Sequence, residues 1–117
     1  MNNVEIKGRL ISDPQRRGTN GPVTFTVSVV RYRVDRSAPV ETDLFNMVAW
    51  QDVADHCLNS IKKGDVVFAR AAFRIGKEWK DKDDKVRPGS PEFVIRDIYV
   101  PVGAAASDET EEVASAL

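Results

Sequence analysis

The chain has 117 residues, of which 42% are hydrophobic and 30% charged, enough for one domain with a real core and too few for two. That composition excludes wholesale disorder, and no apolar run approaches the roughly 18 residues of a spanning helix. The net charge of −1 hides an asymmetry: residues 104–117 hold Asp108, Glu109, Glu111 and Glu112 without a base, leaving 14 acids against 17 bases, a net of +3, over residues 1–103.

Val4, Ile6, Gly8 and Leu10 alternate with Glu5, Lys7 and Arg9, the period of a half-buried strand. Gly8 inside it suggests a bulge or a close backbone approach. Asp13-Pro14 and the cluster Gly18-Thr19-Asn20-Gly21-Pro22 break the run. A second, long strand is expected from Val23 to Arg33, with Phe25, Val27 and Val29 on one face and Thr24, Thr26 and Ser28 on the other. Val34 to Glu41 reads as a loop, and Thr42 to Gln51 as a third strand.

The period then changes. Val53, Cys57, Leu58 and Ile61 mark one face of a helix, with Asp52 as its N-cap, Lys62 and Lys63 closing its last turn, and Gly64 as a left-handed stop. Val66 to Ile75 is a fourth strand, Gly76 to Ser90 a polar hairpin tip, and Phe93 to Val100 a fifth strand. The expected domain is residues 1–103, and residues 104–117 are expected to form a short, acidic, disordered tail. Five mostly antiparallel strands with one helix between the third and fourth is the element order of an OB-type Greek-key barrel, an all-β fold.

Aromatics and bases carry the functional signal. Trp79 lies among Lys77, Lys80 and Lys82 in the hairpin tip, where no core is available to bury an indole. Exposed aromatics beside cations stack on unpaired bases while the cations follow phosphates; the bland reading is that Trp79 folds back onto the barrel or onto another subunit. Arg31-Tyr32-Arg33 reads equally as a basic-aromatic lip or as a solvated strand end, and Arg16-Arg17 is similarly open. In the third strand Leu44, Asn46, Val48 and Trp50 share one face and Phe45, Met47 and Ala49 the other; both are largely apolar, so the pattern leaves open which one looks outward.

Catalysis finds no support. His56 and Cys57, the only histidine and cysteine, are adjacent on a helix and point about 100° apart, so they cannot converge as a nucleophile and base, nor hold a structural zinc. Asp81, Asp83, Lys85 and Glu92 superficially imitate a calcium loop, but Val86 stands where glycine is needed. No cofactor or metal is expected. One cysteine allows no internal disulfide, and the charged start Met1-Asn2-Asn3-Val4-Glu5 does not look like a signal peptide, so a cytoplasmic location is expected.

Taken together, V-E-I-K-G-R-L-I-S-D-P (4–14), Phe25 to Val29 with Arg31-Tyr32-Arg33, and above all residues 43–70 (DLFNMVAWQDVADHCLNSIKKGDVVFAR) resemble the bacterial single-stranded DNA-binding protein family over about residues 1–100. The resemblance implies an OB barrel, usually in a homotetramer, that wraps single-stranded DNA without sequence preference and without catalysis. Trp50 falls on a family aromatic position and Trp79 on the aromatic of the hairpin between the last two strands. Leu44 stands where the family usually has another aromatic, and Tyr32 is displaced by one. The stacking candidates are therefore Trp50, Trp79, Tyr32 and Leu44, and the phosphate candidates Arg9, Arg17, Arg31, Arg33, Lys63, Arg74 and Lys77. The acidic ending lacks the family's Pro-Phe tip, so recruitment of replication and repair proteins is expected to be weak or absent. The competing reading is a primosome-type OB adaptor acting mainly through protein assembly.

Overall fold

A computed structural model describes residues 1–101; the acidic segment 104–117 lies outside the described residues. The chain runs β1 (Val4–Leu10), β2 (Gln15–Arg16), β3 (Val23–Val30), β4 (Thr42–Ala49), α1 (Gln51–Ser60), β5 (Val66–Ile75), β6 (Trp79–Lys80), β7 (Val86–Arg87) and β8 (Pro91–Tyr99). Five long strands close a barrel in the order β1-β5-β8-β4-β3, with β3 returning to β1 and the short β2 added to β3. Every pairing is antiparallel except β4 with β8.

Alternation sets which residues fill the barrel. Phe25 lies opposite Met47, and Met47 opposite Phe93, so one inward row is wholly apolar. Ala69 and Ala71 on β5 face Ile98 and Ile95 across a bulge at Arg70/Ala71. Gly8 shows why β1 can pair with two strands. It sits where β1 leaves β5 and meets β3, and a Cβ there would lie 2.8 Å from the carbonyl oxygen of Ser28. The expected close approach is therefore at Gly8, whereas the bulge is on β5.

Helix α1 plugs the barrel with Ala54 and Cys57, both buried, and Val53 packed against them. Its start differs from the sequence expectation. Trp50, not Asp52, is the N-cap residue, no side chain caps the helix, and Asp52 lies in the first turn. The turn is made instead by the backbone, because Gln51 adopts φ +52°. The helix also stops at Ser60, before Lys62 and Lys63, so no base closes it. Gly64 does take the left-handed conformation, φ +95°, in the tight turn into β5, where its N–H donates to the Leu10 carbonyl. β3 ends at Val30 and β4 at Ala49, each shorter than the sequence pattern suggested. No helix among the described residues is long and apolar enough to cross a membrane.

Candidate nucleic-acid interface

OB barrels take extended ligands along the outer face of their second and third barrel strands, between the first-second and fourth-fifth loops. Here those strands are β3 and β4, and the loops are residues 11–22 and 76–90. Pairing of Val27 with Phe45 and Phe25 with Met47 sends those residues inward and settles the question that the third strand's pattern left open. Leu44, Asn46 and Trp50 look out, with Leu44 61% and Trp50 43% exposed. Val48 shares their parity but is covered between Thr24 and Val94 of the neighbouring strands. The face is floored by Thr24, Thr26 and Asn46, which with Arg17 line a polar hollow of about 350 Å³.

Two further aromatics flank this face. Tyr32, 87% exposed, follows β3 and borders a basic hollow of about 580 Å³ shared with Arg33 and Arg36. Trp79, 54% exposed, starts the two-stranded ribbon β6–β7, opposite Arg87. An aspartate builds that ribbon's tip: the Asp81 carboxylate accepts the N–H groups of Asp83 and Lys85 and the Nε of Arg87, at 2.9, 3.0 and 2.8 Å. These donors, led by the Lys85 N–H, hold the Asp81 carboxyl below its ordinary range. All four stacking candidates are solvent-facing.

The cations divide. Arg17 lies on the face, its Nε donating to Thr24 Oγ1 at 2.7 Å, and Lys63 and Lys77 are exposed; among the described residues none of the three has an ion-pair partner. The other four are engaged inside the protein. Arg9 donates from Nη1 to the Gly64 carbonyl at 3.2 Å, and its buried Nε has no partner among the described residues. Arg33 ties down its own loop through the carbonyls of Arg36 and Ala38. Arg74 pairs with Glu92 at 2.6 Å. Arg31 is gripped by Asp43 and Glu41, each at 2.6 Å; the Asp43 hydrogen bond raises the guanidinium pKa above its ordinary value and in return lowers that of Asp43.

Sequence reasoning missed Arg36, which joins the basic hollow, and Glu92, which stands on the wall of the polar one. Arg36 could have been found by extending the Arg31–Arg33 cluster, but Glu92 reaches its place only through the β5–β8 register. His56 and Cys57 form no catalytic pair. Cys57 is buried on the barrel side of α1, and burial pushes its thiol up to about 11, whereas His56 is exposed with Nδ1 3.3 Å from Ser60 Oγ.

The profile of the single-strand binding protein family matches residues 1–100. The chain is 36% identical over 84 residues to a single-stranded DNA-binding protein of Caldanaerobacter subterraneus subsp. tengcongensis, covering 69% of this chain and 55% of that one. It is 33% identical over 88 residues to single-stranded DNA-binding protein 2 of Listeria monocytogenes, covering 73% and 54%. The chain thus spans about half the length of these relatives. In fold it is similar to a Plasmodium falciparum SSB solved in complex with ssDNA, with TM-score 0.72, 18% identity and coverage of 86% and 95%. It is also similar to a small single-stranded DNA-binding protein of Streptomyces coelicolor, with TM-score 0.64, 21% identity and coverage of 86% and 94%. On the match of its first 100 residues, which build a closed barrel with aromatics on its outer face, the chain belongs to the single-strand binding protein family.

Proposed function

We propose that this chain binds and coats single-stranded DNA without regard to sequence, protecting it during replication, recombination or repair, and catalyses no reaction. The observation that carries this reading is Trp50. Its indole is exposed just past the end of β4, in line with the outward Leu44 and Asn46 of that strand and with Arg17 on the neighbouring strand side. Flat apolar rings offer every base a stacking partner, so affinity does not depend on sequence, and the cations follow the backbone. Tyr32 and Trp79 extend the same surface, and the relatives named as single-stranded DNA-binding proteins support the assignment. Trp50, Trp79, Tyr32 and Leu44 are the proposed base contacts; Arg17, Lys63 and Lys77 are the proposed phosphate contacts, while Arg9 and Arg33 are tethered to backbone carbonyls and Arg31 and Arg74 share their charge with the carboxylates they pair with.

On this reading the protein works in the cytoplasm as a homotetramer. The outer face of β1 and of the ends of β5 and β8 that carry Phe68 and Tyr99, away from the Arg74–Glu92 end, supports an oligomer: the two rings meet there with centroids 5.6 Å apart, and Tyr99 is exposed. Nothing in the site favours an adaptor acting by protein assembly alone. The test is a binding isotherm for oligo(dT) and for a duplex of equal length at several salt concentrations, with the mass followed by light scattering. Tight single-strand binding, weak duplex binding and a log–log salt slope of about −0.7 per phosphate neutralised are expected. Equal affinity for duplex, or an affinity indifferent to salt, would overturn it.

A further inference from the structure

The groove face carries an acid where a polyanion is to lie. Glu92 is on β8, directly opposite Arg74 on β5, and its Oε1 accepts the Arg74 Nε at 2.6 Å. Because Met47 pairs with Phe93, Glu92 also falls beside Asn46 in the outward row of β4, and it walls the same hollow as Arg17 and Thr24. The carboxylate is half-sunk, 22% exposed, rather than waving in solvent. A phosphate approaching Arg74 must therefore displace this carboxylate or lie against it. At a few ångströms, the repulsion between like unit charges lowers affinity about fivefold even in water. The same arrangement recurs beyond β3, where Glu41 and Asp43 occupy Arg31 from two sides.

We propose that Glu92 is an affinity-limiting residue of the single-strand groove: a carboxylate that occupies Arg74 in place of a phosphate and keeps the bound strand exchangeable. This rests on the single-strand-binding reading. It accounts for a groove that offers stacking surfaces while leaving few cations uncommitted. An arginine already neutralised by the protein displaces fewer counterions from the nucleic acid, so the salt dependence is shallow for the number of bases on the face. Exchange follows from the same cause, since affinity differences of this kind are expressed mainly in the off-rate.

The test compares oligo(dT) binding by the wild-type chain, Glu92→Gln, Asp97→Asn and the double variant Arg74→Ala/Glu92→Gln, with folding checked by thermal melting. Asp97 is exposed on the opposite face of the barrel and controls for net charge. Glu92→Gln is expected to bind about fivefold tighter with a salt slope steeper by about 0.7, and to dissociate more slowly. Asp97→Asn, compared at the same light-scattering mass as the wild type because Asp97 borders the Phe68–Tyr99 surface, should leave binding unchanged, and the double variant should return to the wild-type value. Weaker or unchanged binding by Glu92→Gln, or an equal gain from Asp97→Asn, would overturn the proposal. If Glu92→Gln fails to fold, Asp43→Asn, which loosens the grip on Arg31, carries the same expectation and the same refutation. A wild-type chain that binds single strands no better than duplex would instead sink the underlying reading, and this inference with it.

Discussion

Trp50 and Trp79 are comparably exposed, at 43% and 54%, but they stand on different supports. Trp50 joins β4 to α1: its carbonyl accepts the Ala54 N–H at 3.3 Å, and the next residue, Gln51, holds φ +52°. A side-chain-bearing residue adopts that left-handed conformation at a cost of about 1–2 kcal/mol, and keeps it only where packed neighbours impose it. Here the imposition comes from a barrel strand on one side and a buried helix on the other. Trp79 stands on a ribbon of two residues per strand, and such a ribbon alone is marginal in water. Its tip is gathered by one carboxylate, Asp81, which accepts three of its hydrogen bonds beside the backbone bonds of the turn. The contrast teaches that exposure alone does not rank a stacking residue. An indole on a backbone already fixed loses less freedom on binding than one whose backbone must be ordered at that moment.

The contrast breaks most readily at Trp50. Replacing it with alanine should weaken oligo(dT) binding by about 1–3 kcal/mol in an equilibrium titration; a loss no larger than that of Trp79→Ala would erase the ranking. The support beneath Trp50 can be removed without touching the face. Burial raises the Cys57 thiol from 9.0 to about 11, so the folded state holds the neutral thiol where the unfolded chain has begun to ionise. The stability this gives is complete below pH 9 and is lost as pH climbs from 9 through about 11. The loss amounts to about 3 kcal/mol. Melting curves across that range should fall more steeply for the wild type than for Cys57→Ala. Equal slopes would mean that Cys57 is not sealed beneath α1.

Smaller effects sharpen the other half. Trp79→Ala should cost about 1 kcal/mol, the low end for a stacked base, and Asp81→Ala should reproduce most of that loss by freeing the ribbon. An Asp81→Ala protein that binds as well as wild type would show that the ribbon needs no ordering. Gln51→Gly should be smallest. It relieves the left-handed strain while adding freedom to the unfolded chain, for a net gain of about 0.5–1 kcal/mol in thermal stability.

Much of this was legible in the residues. Alternation located the long strands, and Val66–Ile75 was placed with the bounds it adopts. The helical stripe at Val53, Cys57 and Ile61 marked α1, although Leu58, read as part of the same face, is exposed, and Gly8 marked the close crossing of β1 over β3. Trp79 stood out because a lysine-rich tip has no core to hide it. Other features depend on partners distant in sequence. The helix start was misplaced because a positive φ at Gln51, which no local residue type announces, replaced the side-chain cap expected of Asp52. The outward face of β4 emerged only from its register with β3. The commitments of Arg31 and Arg74 likewise come from cross-strand neighbours, so a count of bases overstated how many are free to meet a phosphate.

The most direct trial of the account uses the Trp79→Phe protein, in which Trp50 is the remaining indole. Its emission is followed as oligo(dT) is added at low salt and then reversed with concentrated salt. Saturable quenching that salt relieves is the predicted result, since the base stacks on the ring while cations hold the backbone. Emission that stays constant while the oligonucleotide demonstrably binds would place the strand elsewhere and contradict the assigned groove.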